Sequence, residues 1–512
     1  MRVFLRRHSP LFMSLAAMLV LYIPWLNRGY VNFEFPFQMA ARGLSDSRYA
    51  VMLDAYWQNQ ANPLGYSIFL SWIYRVFGFH EWFWLARVPS VVGACLLLIA
   101  GYMLMRPRDE DDSKGFAYWS ILLILQPMIF AFSTAATAEI FPVGLLYIAI
   151  AVIVRSKSPS YLTYLVSAML FGFSIVTKYN SSYFAGVFLA LSLWLPLGVT
   201  RSWTKKLSLI MLVALVSGSL LVSYIFWSDW KFDVFVSTGL AGATPNFLAL
   251  KSWILIGLKY LIFVGLFCAP LSIILFCLNV RLNALRICLG ALLLVALLAV
   301  GWYVSHPLPN GELDFGQVLN FTNLTRRLLE VFGFLSGVAF IFITWRQRKV
   351  KNVVSLILIF GLIPYLTLLS ASRPTQRYLI YAIPIVLMIL VKTLRDFSKK
   401  LQTIAVGSTA MVFASVSLLG MSYLRAQGDA SEQMAVWIEE NGLISETSPG
   451  VIFAHSGQHF WGIEVKRIRY EVIAVIPGDE SKVSGKVLHR EPMNVLGKVS
   501  RVYLLREVSA SP

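Results

Sequence analysis

The stretch Leu207-Ser-Leu-Ile-Met-Leu-Val-Ala-Leu-Val-Ser-Gly-Ser-Leu-Leu-Val-Ser-Tyr-Ile-Phe-Trp227 carries no charged residue from end to end. As a helix it is long enough to cross the hydrocarbon core of a bilayer, which needs about 20 apolar residues. Leu96–Met105 and Ile254–Leu278 are further runs of the same nearly uncharged kind. Of the 512 residues, 57% are hydrophobic and 14% are charged, which is more apolar than soluble domains are. The sequence therefore predicts an all-α polytopic membrane protein.

Apolar runs of this kind recur along the chain, separated by polar loops. The shorter runs are expected to borrow flanking residues, because a span needs about 20. There are about thirteen runs, at roughly 10–27, 84–105, 116–134, 141–154, 161–177, 182–199, 207–227, 252–278, 285–303, 328–345, 352–370, 378–394 and 403–424.

Lys and Arg side chains are concentrated in alternate loops. The N-terminus and the loops near 106–114, 201–206 and 346–351 are rich in them, while the opposite loops are poorer for their length. Loops rich in positive charge remain on the cytoplasmic side of a membrane. The pattern predicts a cytoplasmic N-terminus and an extracytoplasmic C-terminus.

The formal net charge of +18 belongs to the membrane part of the chain. After Leu424 there are 10 Lys and Arg residues against 11 Asp and Glu residues, so the tail contributes none of the excess. The positive charge is thus accounted for by the orientation of the spans, and no nucleic-acid partner is predicted.

The chain divides into a transmembrane domain at 1–424 and an extracytoplasmic α/β domain at 425–512. Within the first, residues 28–87 form a long outer loop, whose half-apolar stretch Tyr66–Phe77 is typical of an amphipathic helix in contact with membrane lipids. In the tail, Asp429 and Ser431 can cap a helix that ends at Asn441-Gly442. Short strands separated by Pro and Gly turns are predicted at 450–454, 471–476 and 501–505.

Charged side chains at the outer ends of the apolar runs are the main candidates for chemistry. An ionisable group beside hydrocarbon is costly, so its presence there favours a functional role. Carboxylates can take a proton from an acceptor hydroxyl, and cations can hold a phosphate leaving group. The carboxylates are Glu34, Asp46, Asp54 and Glu139, and the cations are Lys178, Arg373 and Arg377.

Each of these residues also has a structural interpretation. Asp46 and Asp54 fit the solvated faces of loop helices. Lys178 and the two arginines fit long side chains that anchor helix ends at the membrane surface. Glu34 and Glu139 stand among apolar residues with no cation beside them in sequence, which favours a functional role for both.

The first loop and the charged residues that follow it resemble the GT-C glycosyltransferases, in particular the bacterial relatives of protein O-mannosyltransferases and of the lipid A aminoarabinose transferase. In that family the first loop opens with an Asp-Glu pair, followed by Ala-Arg, a Pro-rich segment and Phe-Gly. Glu139 in the second outer loop, Lys178 after the fifth helix and Arg377-Tyr378 before the twelfth also have counterparts. The matching segments of the first loop are Phe33–Arg42, Asn62–Tyr66, Val76–Gly78 and Arg87–Ser90.

One position departs from the family pattern. With Ala41-Arg42 aligned, Glu34 falls on the Glu of the acidic pair, but Phe33 falls on the Asp, the family's usual catalytic carboxylate. Three explanations stay open. Glu34 takes over as base or metal ligand, a nearby acid such as Asp46 substitutes, or the chain is a divergent or inactive member.

The resemblance implies a GT-C-like fold of about 13 transmembrane helices in the bacterial cytoplasmic (inner) membrane, with a polyprenyl-phosphate-linked sugar donor. The sugar would pass to a lipid, glycan or protein acceptor on the extracytoplasmic face. A divalent metal ion held by Glu34 and Glu139 is a candidate cofactor. The resemblance suggests Glu34, Glu139 and Asp46 as catalytic residues, and Lys178, Arg373, Arg377 and Tyr378 as ligands of the donor phosphate.

Three other functions remain compatible with the sequence. A transporter or lipid flippase usually has ionisable residues near the bilayer midplane and two related halves, whereas here the charges gather at one face and no internal repeat is visible. An O-antigen ligase or polymerase also uses outer arginines, but its large loop usually comes late in the chain. A non-catalytic subunit of a glycan assembly complex would fit the absence of an acid at Phe33.

Overall fold

In the computed structural model of the protein, the described residues are 2–31, 34–47, 53, 56, 63–77, 83–105, 113–156, 160–194, 202–228, 250–279, 323–346, 357–370, 376–443, 451–455, 470–475 and 477–507. Phe33, Asp54, Arg373 and the apolar run at 285–303 lie outside the described residues.

Helices make up most of the described chain, and short 3-10 segments at Tyr179–Phe184 and Gln376–Tyr381 join some of them. In chain order the α-helices are α1 (Arg2–Tyr22), α2 (Phe35–Ser45), α3 (Gly65–Phe77), α4 (Phe83–Met105), α5 (Ser113–Leu125), α6 (Pro127–Ser133), α7 (Ile140–Arg155), α8 (Tyr161–Thr177), α9 (Ala185–Trp194), α10 (Trp203–Trp227), α11 (Leu250–Cys268), α12 (Leu271–Asn279), α13 (Asn323–Arg346), α14 (Ile363–Ser370), α15 (Ile383–Leu394) and α16 (Lys399–Glu440).

Four of the described helices, α1, α4, α10 and α16, contain segments long and apolar enough to cross a membrane. Two further pairs pass the same test together but bend between their members, by 66° from α5 to α6 and by 87° from α11 to α12. A proline lies at each bend, Pro127 as the first residue of α6 and Pro270 between α11 and α12, and its missing N–H and its ring interrupt the helical ladder. The chain is therefore a membrane protein, while the thirteen spans and their orientation stay predictions.

The described chain forms two compact units. The first unit contains residues 1–19, 92–130 and 139–417, and the second contains residues 20–91, 131–138 and 418–512.

The core of the first unit contains α7, which is buried on all sides from Ile140 to Ala151. Glycines let the backbones of α4 and α7 touch, because a Cβ on Gly93 would lie 2.5 Å from Cα of Phe141, and one on Gly144 would collide with the carbonyl of Gly93. This close approach leaves no room for a side chain at either glycine. Helix α7 is consequently held in one position against α4.

The second unit combines the first loop with the C-terminal part of α16 and a four-stranded sheet. Helix α3 lies at the position predicted for an amphipathic helix, with Tyr66, Leu70 and Tyr74 buried and Trp72 and Phe77 exposed. The sheet contains β1 (Val451–His455), β2 (Tyr470–Val475), β3 (Val487–Val495) and β4 (Lys498–Glu507) in the order β1-β2-β4-β3. Strands β1 and β2 are parallel, and the other pairs are antiparallel.

Two features of the tail differ from the expectation. Strand β3 was not predicted, because charged residues and Pro492 interrupt its apolar pattern. It is an edge strand, where a proline is tolerated because one side of the strand needs no ladder hydrogen bonds. In addition, α16 continues as one helix through Arg425 to Glu440, whereas a break was expected there.

Candidate functional site

Glu34 lies at the centre of a buried ion cluster in the second unit, which we call the Glu34 cluster (Arg28, Glu34 and Arg87). Its Oε2 accepts hydrogen bonds from Arg28 Nη1, Arg87 Nη2 and the Val31 N–H, each at 2.9 Å. Its Oε1 accepts from Arg87 Nε at 2.9 Å and from the Ala136 N–H at 2.7 Å. With five donors on two oxygens and no exposed surface, the carboxylate is completely enclosed.

The two guanidinium groups of the Glu34 cluster also bind backbone carbonyls. Arg87 donates to the carbonyl oxygens of Leu26 at 2.5 Å, Arg28 at 2.7 Å and Gly29 at 3.1 Å. Arg28 donates to the Thr134 carbonyl at 3.4 Å. These carbonyl dipoles offset the surplus positive charge of two cations against one anion. The cluster thereby ties the start of the first loop to α4 and to the segment at 134–136.

The electrostatics of the cluster keep Glu34 ionised. Burial opposes its charged form, but Arg28, Arg87 and the Val31 N–H outweigh burial and lower the pKa of Glu34 from 4.5 to about 2. Burial lowers the pKa of Arg28 to about 10, still well above neutral pH. Glu34 and Arg28 are therefore charged at neutral pH, and Glu34 is a fixed anion there.

A pH dependence of stability follows from this shift. Because the pKa of Glu34 is lower in the folded protein, its stabilisation is complete above pH 4.5 and is lost as the pH falls through about 2. The loss amounts to about 3 kcal/mol. We expect the thermal unfolding midpoint of the protein in detergent to fall steadily across this acid range. An equal fall in a Glu34→Gln variant would contradict the assignment to this group.

The surroundings of Glu34 do not fit a divalent metal ion. All the hydrogen-bonding positions of its oxygens face N–H donors, and two cations stand beside it, so the carboxylate offers a metal no free lone pair. Within the described ranges, no group of three or more His, Cys, Asp or Glu side chains is placed to hold a metal. The metal site proposed for Glu34 and Glu139 stays an untested prediction, and we derive no chemical step from it.

Asp46 stands apart from Glu34. Glu34 precedes the first residue of α2 and Asp46 follows the last, so the two residues cap opposite ends of one helix. A helix of this length separates its ends by about 16 Å. Asp46 is therefore not placed to share a site with Glu34, and its predicted catalytic role remains untested.

A second group of charges, the Glu139 cluster (Glu139, Lys178, Arg377 and Tyr378), lies in the first unit. Lys178 Nζ forms an ion pair with Glu139 Oε2, and Arg377 Nε lies 3.8 Å from Glu139 Oε1. Both cations lie over the Tyr378 ring, Lys178 Nζ at 5.1 Å and Arg377 Cζ at 5.5 Å from its centroid. Lys178 and Glu139 are buried, while the side chain of Arg377 is 46% exposed. The structure thus brings together four of the residues selected from the sequence.

Secondary structure explains why these charges meet. Glu139 precedes the first residue of α7, and Lys178 follows the last residue of α8. An anion at a helix N-terminus and a cation at a C-terminus both interact favourably with the helix dipoles. The Ser174 hydroxyl of α8 donates to the Pro142 carbonyl of α7 at 2.7 Å, which holds these two helix ends side by side.

A layer of tyrosines and serines fixes the turn that carries Arg377 and Tyr378. Tyr365 donates to the Tyr378 carbonyl and Tyr147 to the Tyr381 carbonyl, each at 2.8 Å. The Tyr381 hydroxyl lies 3.0 Å from the Ser181 hydroxyl. Because the supporting side chains are buried, these hydrogen bonds hold the backbone of the turn that carries Arg377 and Tyr378.

Sequence reasoning selected the Glu139 cluster but missed the partners of Glu34. In sequence, Arg28 stands at the start of the first loop and Arg87 within one of the segments that resemble the family, so neither is marked as a partner of Glu34. The available signal was Glu34 itself, since an acid among apolar residues must be paired with a cation if it is buried.

No protein-family model matches the chain, and no curated protein sequence matches it. Among solved structures, it is similar to ArnT from Cupriavidus metallidurans bound to undecaprenyl phosphate, with 13% identity, 99% of each chain covered and a TM-score of 0.53. The apo state of the same ArnT covers 96% of this chain and 97% of its own, at 14% identity and a TM-score of 0.42. The archaeal oligosaccharyltransferase AglB from Archaeoglobus fulgidus, in complex with an inhibitory peptide and a dolichol-phosphate, covers 85% of this chain and 58% of its own, at 14% identity and a TM-score of 0.44. The likeness to undecaprenyl-phosphate-bound ArnT confirms the expected GT-C resemblance at the level of the fold.

Proposed function

Starting from the GT-C fold of this chain, we propose that it is a membrane glycosyltransferase that uses a polyprenyl-phosphate-linked sugar donor. The transfer takes place on the extracytoplasmic face of a bacterial inner membrane, to a lipid, glycan or protein acceptor. The observation that carries the proposal is the Glu139 cluster, in which the buried ion pair of Glu139 and Lys178 lies beside Arg377 at the ends of α7 and α8. A solved structure of similar fold contains undecaprenyl phosphate, a ligand of this chemical class.

The charge of the Glu139 cluster suits a phosphodiester. Two cations and one carboxylate leave a net charge of +1, and a polyprenyl-phosphate sugar carries one negative charge. Arg377 is the more exposed cation, so it is the first to meet the phosphate. Lys178 is buried between Glu139 and the Tyr378 ring, where it can stabilise the charge that grows on the phosphate as the sugar leaves.

In the proposed step, the acceptor hydroxyl oxygen bonds to the anomeric carbon of the sugar. The bond from that carbon to the phosphate oxygen breaks, and polyprenyl phosphate leaves with the electron pair. Glu139 takes the hydroxyl proton, since it is the carboxylate that stands beside the proposed phosphate ligands. Lys178 and Arg377 hold the phosphate, with Tyr378 supporting both cations.

We assign Glu34 a positioning role instead of a role as base. A base must reach the proton that it removes, whereas both oxygens of Glu34 are occupied by N–H donors and have no exposed surface. Through Arg28 and the Ala136 N–H, Glu34 fixes the backbone at 134–136. Because this proposal assigns the role of base to Glu139, no acid in the first loop has to replace the one that is missing at Phe33.

The proposal is tested by binding of undecaprenyl phosphate, the product-like lipid, to the purified full-length protein. We expect Lys178→Met and Arg377→Gln each to weaken binding by about tenfold or more, because each removes a charge-assisted contact of about 1.5–3 kcal/mol. Native mass spectrometry in detergent measures the bound fraction. Undecaprenol, which lacks the phosphate, should bind all variants equally.

Lys206→Gln is a matched control. Lys206 also lies over an aromatic ring, that of Trp203 at 5.2 Å, and it donates to the Leu193 carbonyl. It lies in the first turn of α10, at the end predicted to face the cytoplasm, so its replacement should leave binding unchanged. Undecaprenyl phosphate binding of normal strength in both Lys178→Met and Arg377→Gln would refute the phosphate site.

A further inference from the structure

The tip of the hairpin formed by β3 and β4 presents apolar side chains in an unusual backbone conformation. The two turn residues, Leu496 and Gly497, have φ angles of 49° and 78°, and the flanking Val495 and Lys498 pair with each other. Such two-residue turns strongly favour Asn-Gly, because residues other than Gly, Asn and Asp are costly at positive φ. Here Leu496 occupies the first of the two turn positions. Its side chain is 70% exposed, and that of the nearby Val499 is 45% exposed.

Two contacts show how the hairpin of β3 and β4 lies along α16. At its far end His489 of β3 stacks on Trp437 of α16, with ring centroids 4.4 Å apart and planes at 10°. Closer to the turn, Tyr503 of β4 lies against Gln427 and Ser431. Moving along the hairpin toward its turn therefore means moving back along α16, toward the apolar run that ends near residue 424.

The length of β4 between Tyr503 and the turn indicates how far along α16 the turn lies. From Tyr503 to Lys498 the strand advances about 16 Å, at about 3.3 Å per residue. The same distance corresponds to about eleven residues of α-helix. Counted back from Gln427 and Ser431 along the helix axis, this distance ends near Leu418. That leucine is itself 51% exposed and lies inside the apolar run.

We propose that Leu496 and Val499 insert into the interfacial region of the lipid bilayer and anchor the tail to the membrane surface. The occupant of this apolar tip is lipid, because the strand length brings the tip to the level of Leu418, an exposed leucine within the apolar run of the helix against which its own sheet packs. Lys498, exposed between the two apolar residues, has a long side chain that can reach the headgroup phosphates. The inference rests on the membrane span of α16 and is independent of the proposed function.

The first test is a depth measurement on the full-length protein, one copy per lipid nanodisc. An environment-sensitive NBD probe is attached at Leu496→Cys, with doxyl quenchers placed near the headgroup end of the lipid acyl chains. We expect emission at shorter wavelength and loss of the larger part of its intensity to the quencher. The native cysteines are first replaced by Cys95→Ala, Cys268→Ala, Cys277→Ala and Cys288→Ala.

Lys486→Cys supplies the control, since this exposed residue precedes the opposite end of the same hairpin. A probe there should emit at the wavelength that it has in water, and the quencher should not reduce its intensity. The proposal is wrong if the probe at Leu496→Cys behaves in the same way. It is also wrong if that probe is shielded from water but unquenched, because the tip would then contact protein.

A second variant keeps the hairpin folded while removing its apolar tip. Leu496→Asn suits the positive φ of the turn, so the sheet should be at least as stable as before. With the probe at Val499→Cys, we expect Leu496→Asn to reduce lipid quenching clearly. Unchanged quenching would overturn the anchoring role of Leu496.

Discussion

Replacing Glu34 by glutamine is expected to destabilise the folded protein by about 3–5 kcal/mol. The substitution keeps the size of the side chain but removes the only anion of the Glu34 cluster. Arg28 and Arg87 are then left as two buried cations that repel each other. The thermal unfolding midpoint in detergent measures the loss.

Two comparison variants make this prediction specific. Glu440→Gln makes the same chemical change on the exposed end of α16 and should alter the stability by less than about 0.5 kcal/mol. Arg87→Met, which leaves the neutral pair of Arg28 and Glu34, should be less harmful than Glu34→Gln. If Glu34→Gln folded normally and lost only sugar transfer, Glu34 would be a base, and the positioning role would be wrong.

Introducing a large side chain at Gly144 is expected to be comparably damaging. A Cβ at this position already collides with the Gly93 carbonyl, so the leucine of Gly144→Leu must push α7 away from α4. Overpacking of this kind costs about 1–3 kcal/mol or more. Because Glu139 adjoins α7, we expect undecaprenyl phosphate binding to fall together with the unfolding midpoint.

Gly218→Leu is the matched control for Gly144→Leu. Gly218 is also a helical glycine, in α10, but a Cβ there meets no atom within 4 Å. Leucine at this position should be tolerated and should even favour the helix. Equal stability of the two leucine variants would show that the contact between α4 and α7 is looser than described.

The sequence predicted where helices lie better than where they end or bend. Uncharged runs located α1, α4, α10 and much of α16, since lipid demands apolar side chains over a fixed length. The fall in hydropathy at Arg425 predicts a helix end, but it marks only where α16 leaves its apolar run. Hydropathy reports the surroundings of a helix, whereas its end depends on hydrogen bonds that the pattern does not record.

For the candidate site, too, the sequence predicted some of the residues but not the contacts between them. Glu139, Lys178 and Arg377 were predicted because charges at the ends of apolar runs stand out in sequence. Their contact depends on α7 and α8 packing side by side, which the charge pattern alone does not record. The enclosure of Glu34 could not be predicted, because its partners are separated from it by up to 102 residues.

Those separations set an order of events during synthesis of the chain. Glu34 can meet Arg28, six residues earlier, as soon as the first loop has left the ribosome. It can meet Arg87 only after a further 53 residues, and the Ala136 N–H only after 102. Glu34 thus lacks its hydrogen bond from Ala136 until residues 134–136 have been synthesised. If synthesis is halted before that point, we expect protease to cleave the first loop. Formation of the hydrogen bond from the Ala136 N–H would then mark the moment at which Glu34 gains the last of its partners.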